Sequence, residues 1–382
     1  MSNTLRTLAV PSGDAVAEIL PVLREVLAGN TSAVLPVPAG DLRETARLER
    51  ALASGERIED GVALVVATSG TTGTPKGAML SAAALRASGS ATHERLGGAG
   101  SWLLALPTHH IAGLQVLFRG ILAGLPPVVL DVSDGFDPAA LAPAIDAMPG
   151  PRRYTSLVPT QLVKALDDAA GVAALTRLDA VLLGGAATPV WLREKATDAG
   201  ITLFRTYGMS ETCGGCVYNG VALDGALVEI EDGRVVLGGP MVATGYRGLP
   251  EHPSFARQGW FRTDDAGTVS DGILTVTGRL DEAISTGGLT VVPQVVEAAI
   301  LSHPDVRECA IVGVADRRLG ERVVVAVVAA PGATPTLGNI RDHVAQELDS
   351  TAAPRELLVV EALPLRGPGK VDRAAVRALF GQ

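Results

Sequence analysis

The chain has 382 residues, enough for two or three domains, and its 47% hydrophobic content and mean hydropathy of +0.30 supply a large core. A formal charge of −9 with no basic tract argues against a nucleic-acid partner, although a nucleotide needs only a local positive site. Three cysteines exclude a disulfide framework, the N-terminus lacks the apolar region of a signal peptide, and no run of 18 apolar residues occurs, so a cytoplasmic protein without a membrane span is expected.

Taken in chain order, Asp14 to Ala28 has helical spacing, and Asp41 to Ala53 reads as an amphipathic helix with Glu and Arg on its wet face. Val62 to Ala67 is a short apolar, β-branched run of buried-strand type. Helices are expected at Ala82–Glu94, Ile111–Ala123, Gln161–Leu166 and Val190–Ala199, alternating with strands at Ser101–Leu106, Val128–Leu130, Ser156–Val158, Ala180–Leu183 and Thr202–Arg205. That alternation predicts an α/β fold, a parallel sheet with helices over its faces. After Tyr207 short strands and Gly-rich turns take over, with hairpin signals at Asp232-Gly233 and Asp271-Gly272. From Val291 onward a small α+β unit of about 100 residues is expected, with helices at Val295–Leu301 and Leu337–Glu347 and strands at Glu308–Val314, Arg322–Ala329 and Glu356–Val360. The likeliest domain boundary is Gly278-Arg279-Leu280-Asp281, giving domains 1–280 and 281–382.

The strand at Val62 runs straight into T-S-G-T-T-G-T-P-K-G, Thr68 to Gly77. Glycines let several backbone N–H groups point at one anion. The hydroxyls of Thr68, Ser69, Thr71 and Thr72 add donors around Gly70 and Gly73, and Lys76 adds a point charge. Such a loop binds phosphates. It is not a Walker A loop, because Pro75 precedes the lysine and Gly77 follows it. Only four lysines occur, Lys76, Lys164, Lys195 and Lys370, while arginine supplies the other cations. Lysines at Lys76 and Lys370, both in Gly-rich surroundings, point to a need for a compact ammonium. Cys213 and Cys216 form C-G-G-C, but no second pair accompanies them, so small side chains in a tight loop are expected rather than zinc or redox work.

Arg119 carries the single charge between His110 and Leu130 and lies in a very apolar predicted helix, with Gln115 one turn earlier on the same face. Burying an unpaired guanidinium is costly. The stripe therefore implies a buried anionic partner, either a ligand or an Asp or Glu of the chain itself.

Further signatures follow the loop in order: P-T-H-H-I-A-G-L from Pro107, Y-G-M-S-E-T from Tyr207, F-R-T-D-D-A-G from Phe261, G-R-L-D-E-A-I-S-T-G-G from Gly278 and L-P-L-R-G-P-G-K-V-D-R from Leu363. Together they resemble the adenylate-forming superfamily of acyl-CoA ligases, luciferases and peptide-synthetase adenylation domains. S-L-V-P-T-Q-L from Ser156 and L-L-G-G-A-A-T-P from Leu182 are similar to the o-succinylbenzoate–CoA ligases of menaquinone biosynthesis, as is the short region ahead of the phosphate loop. The resemblance implies a large N-terminal domain of helix-covered β-sheets plus a small mobile α+β C-terminal domain. It implies ATP, Mg2+ and coenzyme A as reaction partners, small-molecule substrates, and an AMP-forming acid–thiol ligase that first makes an acyl-adenylate and then a thioester. Homo-oligomerisation is possible on this pattern.

By the same resemblance, Thr68 to Gly73 and Lys76 hold the departing pyrophosphate and Glu211 holds Mg2+, a hard cation suited to a carboxylate. Gly184, Gly185 and Ala186 wall the adenine, next to Tyr207 and Gly208. Asp265 grips the ribose, with Asp264 standing where the family has glycine, and Arg279 meets the ribose or phosphate. Asp281 is the hinge. Lys370 bridges the attacking carboxylate and the α-phosphate, and His110 gates the acid pocket, while His109 fits a core histidine. Arg119, Ser156 and Ser210 match substrate-pocket positions. A ligase for another aryl or acyl acid, or a non-catalytic nucleotide-binding relic, remains as an alternative.

Overall fold

The computed structural model describes residues 3–68, 75–366 and 370–381, with the backbone alone at 347, 366 and 370. Two compact units divide the chain. The first comprises Met1–Glu229, Val236–Thr263 and Ser270–Leu274, and the second comprises Ile230–Val235, Asp264–Val269 and Thr275–Gln382.

The first unit contains two sheets with helices flanking them. One runs in the order Arg6–Val10, Val34–Pro38, Val62–Thr68, Lys76–Ser81, Gly245–Tyr246. Its first three strands are parallel, and Lys76–Ser81 returns antiparallel to Val62–Thr68. The phosphate-loop segment therefore joins two paired strands instead of leading to a helix. The Ala82–Arg95 helix begins one residue after the return strand, where the Ser81 hydroxyl accepts the Ala84 N–H and caps it. Leu35, Val37, Leu48, Leu52 and Val65 pack the adjacent core.

The second sheet has seven strands in the order Val221–Ala222, Gly214–Tyr218, Leu203–Met209, Ala180–Leu183, Arg153–Leu157, Ser101–Leu104, Val128–Val129. The five from Leu203–Met209 to Val128–Val129 are parallel. This is the βα alternation read from the sequence, extended by an antiparallel pair that the Gly-Gly run at Gly214 concealed. Sequence reading also passed over the helices Leu141–Asp146 and Ala169–Leu175, both alanine-rich and short. The F-R-T-D-D-A-G signature lies wholly within one eleven-residue strand, Trp260–Ser270.

Within the second unit, Val306–Asp316 pairs antiparallel with Gly320–Ala329 over nearly their whole length. Both faces of that pair are buried. Val323, Val325 and Val327 pack with Val296, Ile300, Ile340 and Val344 of two helices. Val324, Ala326 and Val328 face Leu363, Val376 and Phe380. A run of valines serves both faces because alternate side chains of a strand point opposite ways. Among the described residues, no helix is long and apolar enough to cross a membrane.

Candidate active site

The parallel strands place several of the expected residues at their carboxyl ends, where open α/β sheets bind ligands. Ser156 lies near the end of Arg153–Leu157 and is buried. Gly184, Gly185 and Ala186 follow directly on Ala180–Leu183, and Tyr207 and Gly208 lie near the end of Leu203–Met209. A Cβ on Gly184 would stand 2.4 Å from Thr206 Oγ1, and one on Gly208 would stand 2.1 Å from the Gly214 carbonyl oxygen. Gly208 is thus required by the backbone of the neighbouring strand, whereas at Gly184 the nearest atom is the end of a threonine side chain. Gly185 has φ +84°, in the left-handed region that glycine tolerates.

Ser210 opens a single 3-10 turn, Ser210–Thr212, and Glu211 follows it, 6% exposed. The Thr212 hydroxyl and the Met209 backbone close this turn by mutual hydrogen bonds. The Tyr246 O–H donates to Glu211 Oε1 at 2.6 Å, which fixes the direction of the carboxylate. The Tyr246 and His252 rings form a T-shaped pair with centroids 4.8 Å apart, and Lys76 Nζ lies 5.2 Å from the Tyr246 ring and 3.1 Å from His252 Nε2. Thr68 and Lys76, the ends of the phosphate-loop segment, are cross-strand partners. Ser69, Gly70, Thr71, Thr72 and Gly73 lie outside the described residues. Tyr246 and His252 escaped sequence reading, although in a chain with 3% aromatics each tyrosine is a signal.

The Ile111–Leu122 helix carries the third part. His110 caps its start and is exposed, with its ring 4.1 Å from that of His109. Burial pushes the His109 pKa down, as suits a neutral histidine packed in the fold. Gln115 is 1% exposed and Arg119 is 3% exposed. Among the described residues, neither the nitrogen nor the oxygen of the Gln115 amide has a partner, and Arg119 Nε has none. The alternative of an internal ion pair is not realised, since among the described residues no carboxylate pairs with Arg119. Instead Trp102 presents its ring 4.9 Å from the guanidinium carbon, and Arg119 Nη2 donates to the Tyr218 oxygen at 3.4 Å. Burial lowers the Arg119 pKa, but a guanidinium remains a cation there. Trp102 Nε1–H donates to His93 Nε2 at 3.2 Å, and burial, then the Arg119 charge, press the His93 pKa down to about 4. Trp102, Tyr154 and Tyr218 are among the most deeply buried large side chains, and the chain's scarcity of aromatics could have flagged them.

Cys213 and Cys216 are buried free thiols, and burial raises both pKa values, that of Cys216 to about 12. Cys213 has φ +53° and its carbonyl accepts the Ser88 hydroxyl. Such thiols are unreactive parts of a tight turn.

In the second unit, Asp265 is buried while Asp264 pairs with Arg234 at 2.9 Å on the exposed side. Neighbouring residues of a strand face opposite ways, so the extra aspartate is turned away from its neighbour's surroundings. Arg279 reaches Asp265 Oδ1 at 3.3 Å and holds Asp281 through two hydrogen bonds, at 2.9 and 2.7 Å. Burial works against the Arg279 charge, but Asp281 and then Asp265 outweigh it and raise its pKa. Lys370 stands in a two-stranded ribbon opposite Arg366; its side chain lies outside the described residues.

A buried carboxylate, a lysine at the end of a glycine-rich segment and glycines at the carboxyl ends of parallel strands form an arrangement suited to an anionic, phosphate-bearing ligand. The AMP-binding enzyme family matches residues 9–244 and the AMP-binding enzyme C-terminal domain matches residues 295–370, and the chain belongs to that family. It is 57% identical over 384 residues to a probable 2-succinylbenzoate–CoA ligase of Mycobacterium tuberculosis, covering 99% of both chains. It is 32% identical to the 2-succinylbenzoate–CoA ligase of Geobacillus kaustophilus, covering 93% of this chain and 74% of that one. A solved structure of wild-type E. coli MenE, with a bound phenylether-linked analogue of OSB-AMS, superposes with a TM-score of 0.77 at 26% identity, covering 100% of this chain and 89% of that one.

Proposed function

We propose that this protein is an AMP-forming o-succinylbenzoate–CoA ligase. The observation that carries the substrate class is Arg119: a buried cation which, among the described residues, has no carboxylate partner and shares its helix with an unpartnered Gln115 amide. o-Succinylbenzoate has two carboxylates. Its succinyl carboxylate reacts, and the ring carboxylate supplies the anion that Arg119 lacks.

The reaction has two half-reactions. A carboxylate oxygen attacks the α-phosphorus of ATP, the bond to the β-phosphate oxygen breaks, and pyrophosphate leaves. The sulfur of the CoA thiolate then attacks the acyl carbon, the acyl–oxygen bond breaks, and AMP leaves. Both steps gather negative charge on oxygen, so the protein's part is placement and electrostatics. Lys76 and Thr68 to Gly73 receive the pyrophosphate. Asp265 and Arg279 take the ribose and phosphate, and Gly184, Gly185, Ala186, Tyr207 and Gly208 take the adenine. Lys370 offsets the repulsion between the attacking carboxylate and the α-phosphate, His110 gates the acid, and Ser156 and Ser210 line its pocket. Asp281 is the hinge.

Glu211 fits Mg2+. Among the described residues no group of three or more His, Cys, Asp or Glu could hold a metal, and Mg2+ characteristically takes one or two carboxylates with substrate phosphates and water. When bound, Mg2+ neutralises phosphate charge as pyrophosphate departs. The Tyr246 hydrogen bond fixes the orientation of the Glu211 carboxylate that would hold it.

The test is CoA-thioester formation across a panel of acids with ATP and Mg2+. o-Succinylbenzoate should be the preferred acid, well ahead of 4-oxo-4-phenylbutanoate, which lacks the ring carboxylate. Preference for a different aryl or acyl acid would replace the substrate assignment. Absence of acid-dependent ATP–pyrophosphate exchange would remove catalysis altogether.

A further inference from the structure

The Arg119 guanidinium is held by a hydrogen-bond chain whose direction can be worked out atom by atom. The Thr92 hydroxyl is 2.9 Å from the Ser88 carbonyl oxygen, which can only accept, so Thr92 spends its one proton there. Thr92 Oγ1 is also 3.0 Å from the Tyr218 hydroxyl. With its own proton committed, Thr92 must accept in that contact, and Tyr218 must donate. The Tyr218 oxygen is then left with lone pairs alone, and these face Arg119 Nη2 at 3.4 Å. Ser88, Thr92 and Tyr218 are all fully or almost fully buried, so no bulk water competes for these protons. Ser88 and Thr92 are one turn apart on the Ala82–Arg95 helix, which places both on one face. Trp102 lies against the guanidinium, and among the described residues Nε has no partner.

We propose that Tyr218 is a specificity-determining positioning residue: locked as an acceptor by Thr92 and Ser88, it turns the Arg119 guanidinium so that its remaining donors serve the second carboxylate of the acid substrate. The inference rests on the reading of the substrate given above. Tyr218 does not touch the reacting atoms, and its effect is confined to acids that use Arg119.

The experiment compares Tyr218→Phe with the unaltered enzyme on two acids, o-succinylbenzoate and 4-oxo-4-phenylbutanoate, with thermal melting as a check on folding. Losing a hydrogen bond to a charged group corresponds to about a tenfold change. The KM for the diacid should rise about tenfold in Tyr218→Phe, while its kcat and both constants for the monoacid stay within about twofold. Thr92→Val provides a second route. It removes the acceptor that holds the Tyr218 proton and leaves the hydroxyl free to rotate away from its set position, so a selective but smaller rise in diacid KM is expected. Equal changes for the two acids would make Tyr218 a packing residue and overturn the proposal, as would an unchanged diacid KM in both variants. Turnover of the diacid by the unaltered enzyme tests the substrate reading separately, since it compares acids without altering Tyr218.

Discussion

On the proposed reading Arg119 is the residue on which substrate choice should turn, because among the described residues no carboxylate pairs with its buried charge. Arg119→Ala should raise the KM for o-succinylbenzoate by an amount equivalent to about 2–5 kcal/mol, the range for truncating one partner of a desolvated charge pair. ATP binding should hardly change, and the monoacid should lose much less. Steady-state kinetics on the two acids form a double cycle, and equal losses would mean that Arg119 serves the fold alone. His93, behind Trp102, gives a stability prediction with a definite sign. Its folded pKa of about 4 lies below the ordinary value near 6.5, so below that value the unfolded chain binds the proton first. The neutral imidazole's contribution is intact above pH about 6.5 and is lost as pH falls toward about 4, by up to about 3 kcal/mol. His93→Gln keeps an acceptor for Trp102 Nε1–H and removes the titration. Urea midpoints measured between pH 4 and 7 should therefore fall less steeply in the variant, and identical slopes would refute the assignment.

At the scale of elements, the contact between the Ile111–Leu122 helix and the segment before it decides where His110 stands. Gly113 makes that contact possible. A Cβ there would lie 2.4 Å from the Pro107 carbonyl oxygen and 3.0 Å from that of Leu106, and both are backbone atoms that cannot swing aside. Gly113→Ala should destabilise the protein by about 1–3 kcal/mol, the usual cost of overpacking, and should raise the KM for the acid by displacing Pro107–His110. Thermal melting and acid KM report the two effects. A variant with an unchanged Tm would show that the segment yields freely. The helix was legible in the sequence as an almost wholly apolar run, and so was the Gln115–Arg119 stripe. The closeness of its approach was not, because a glycine within A-G-L looks the same whether or not another backbone lies against it.

For the whole molecule, the two half-reactions make opposite demands, and single substitutions should separate them. Lys370→Ala should abolish adenylate formation, measured by acid-dependent pyrophosphate exchange, and leave thioester formation from preformed adenylate largely intact. Equal losses in both would remove Lys370 from the adenylation step. Asp281→Pro should do the reverse if rotation at 281 is needed between steps, because proline fixes φ. Proline also deletes the carboxylate that Arg279 holds at 2.9 and 2.7 Å. Asp281→Ala removes the same carboxylate and leaves φ free, so a thioesterification defect in the proline variant alone would locate the effect in the backbone.

The sequence by itself determined the class of protein, the α/β alternation and the order of the signatures, because these rest on local patterns of apolar spacing, glycine and hydroxyl-rich runs. It also singled out Arg119, since an isolated charge in an apolar helix is visible without coordinates. Tertiary structure alone decided what surrounds that charge. Trp102, Thr92 and Tyr218 come from three separate elements, and their meeting depends on strand order and helix packing that no local pattern records. The same holds for Tyr246 against Glu211, residues 35 apart in sequence whose hydrogen bond exists only once two sheets have formed. Burial is the physical reason: a side chain's partners within a few ångströms are set by packing of distant segments, and the chain encodes that packing collectively, not residue by residue.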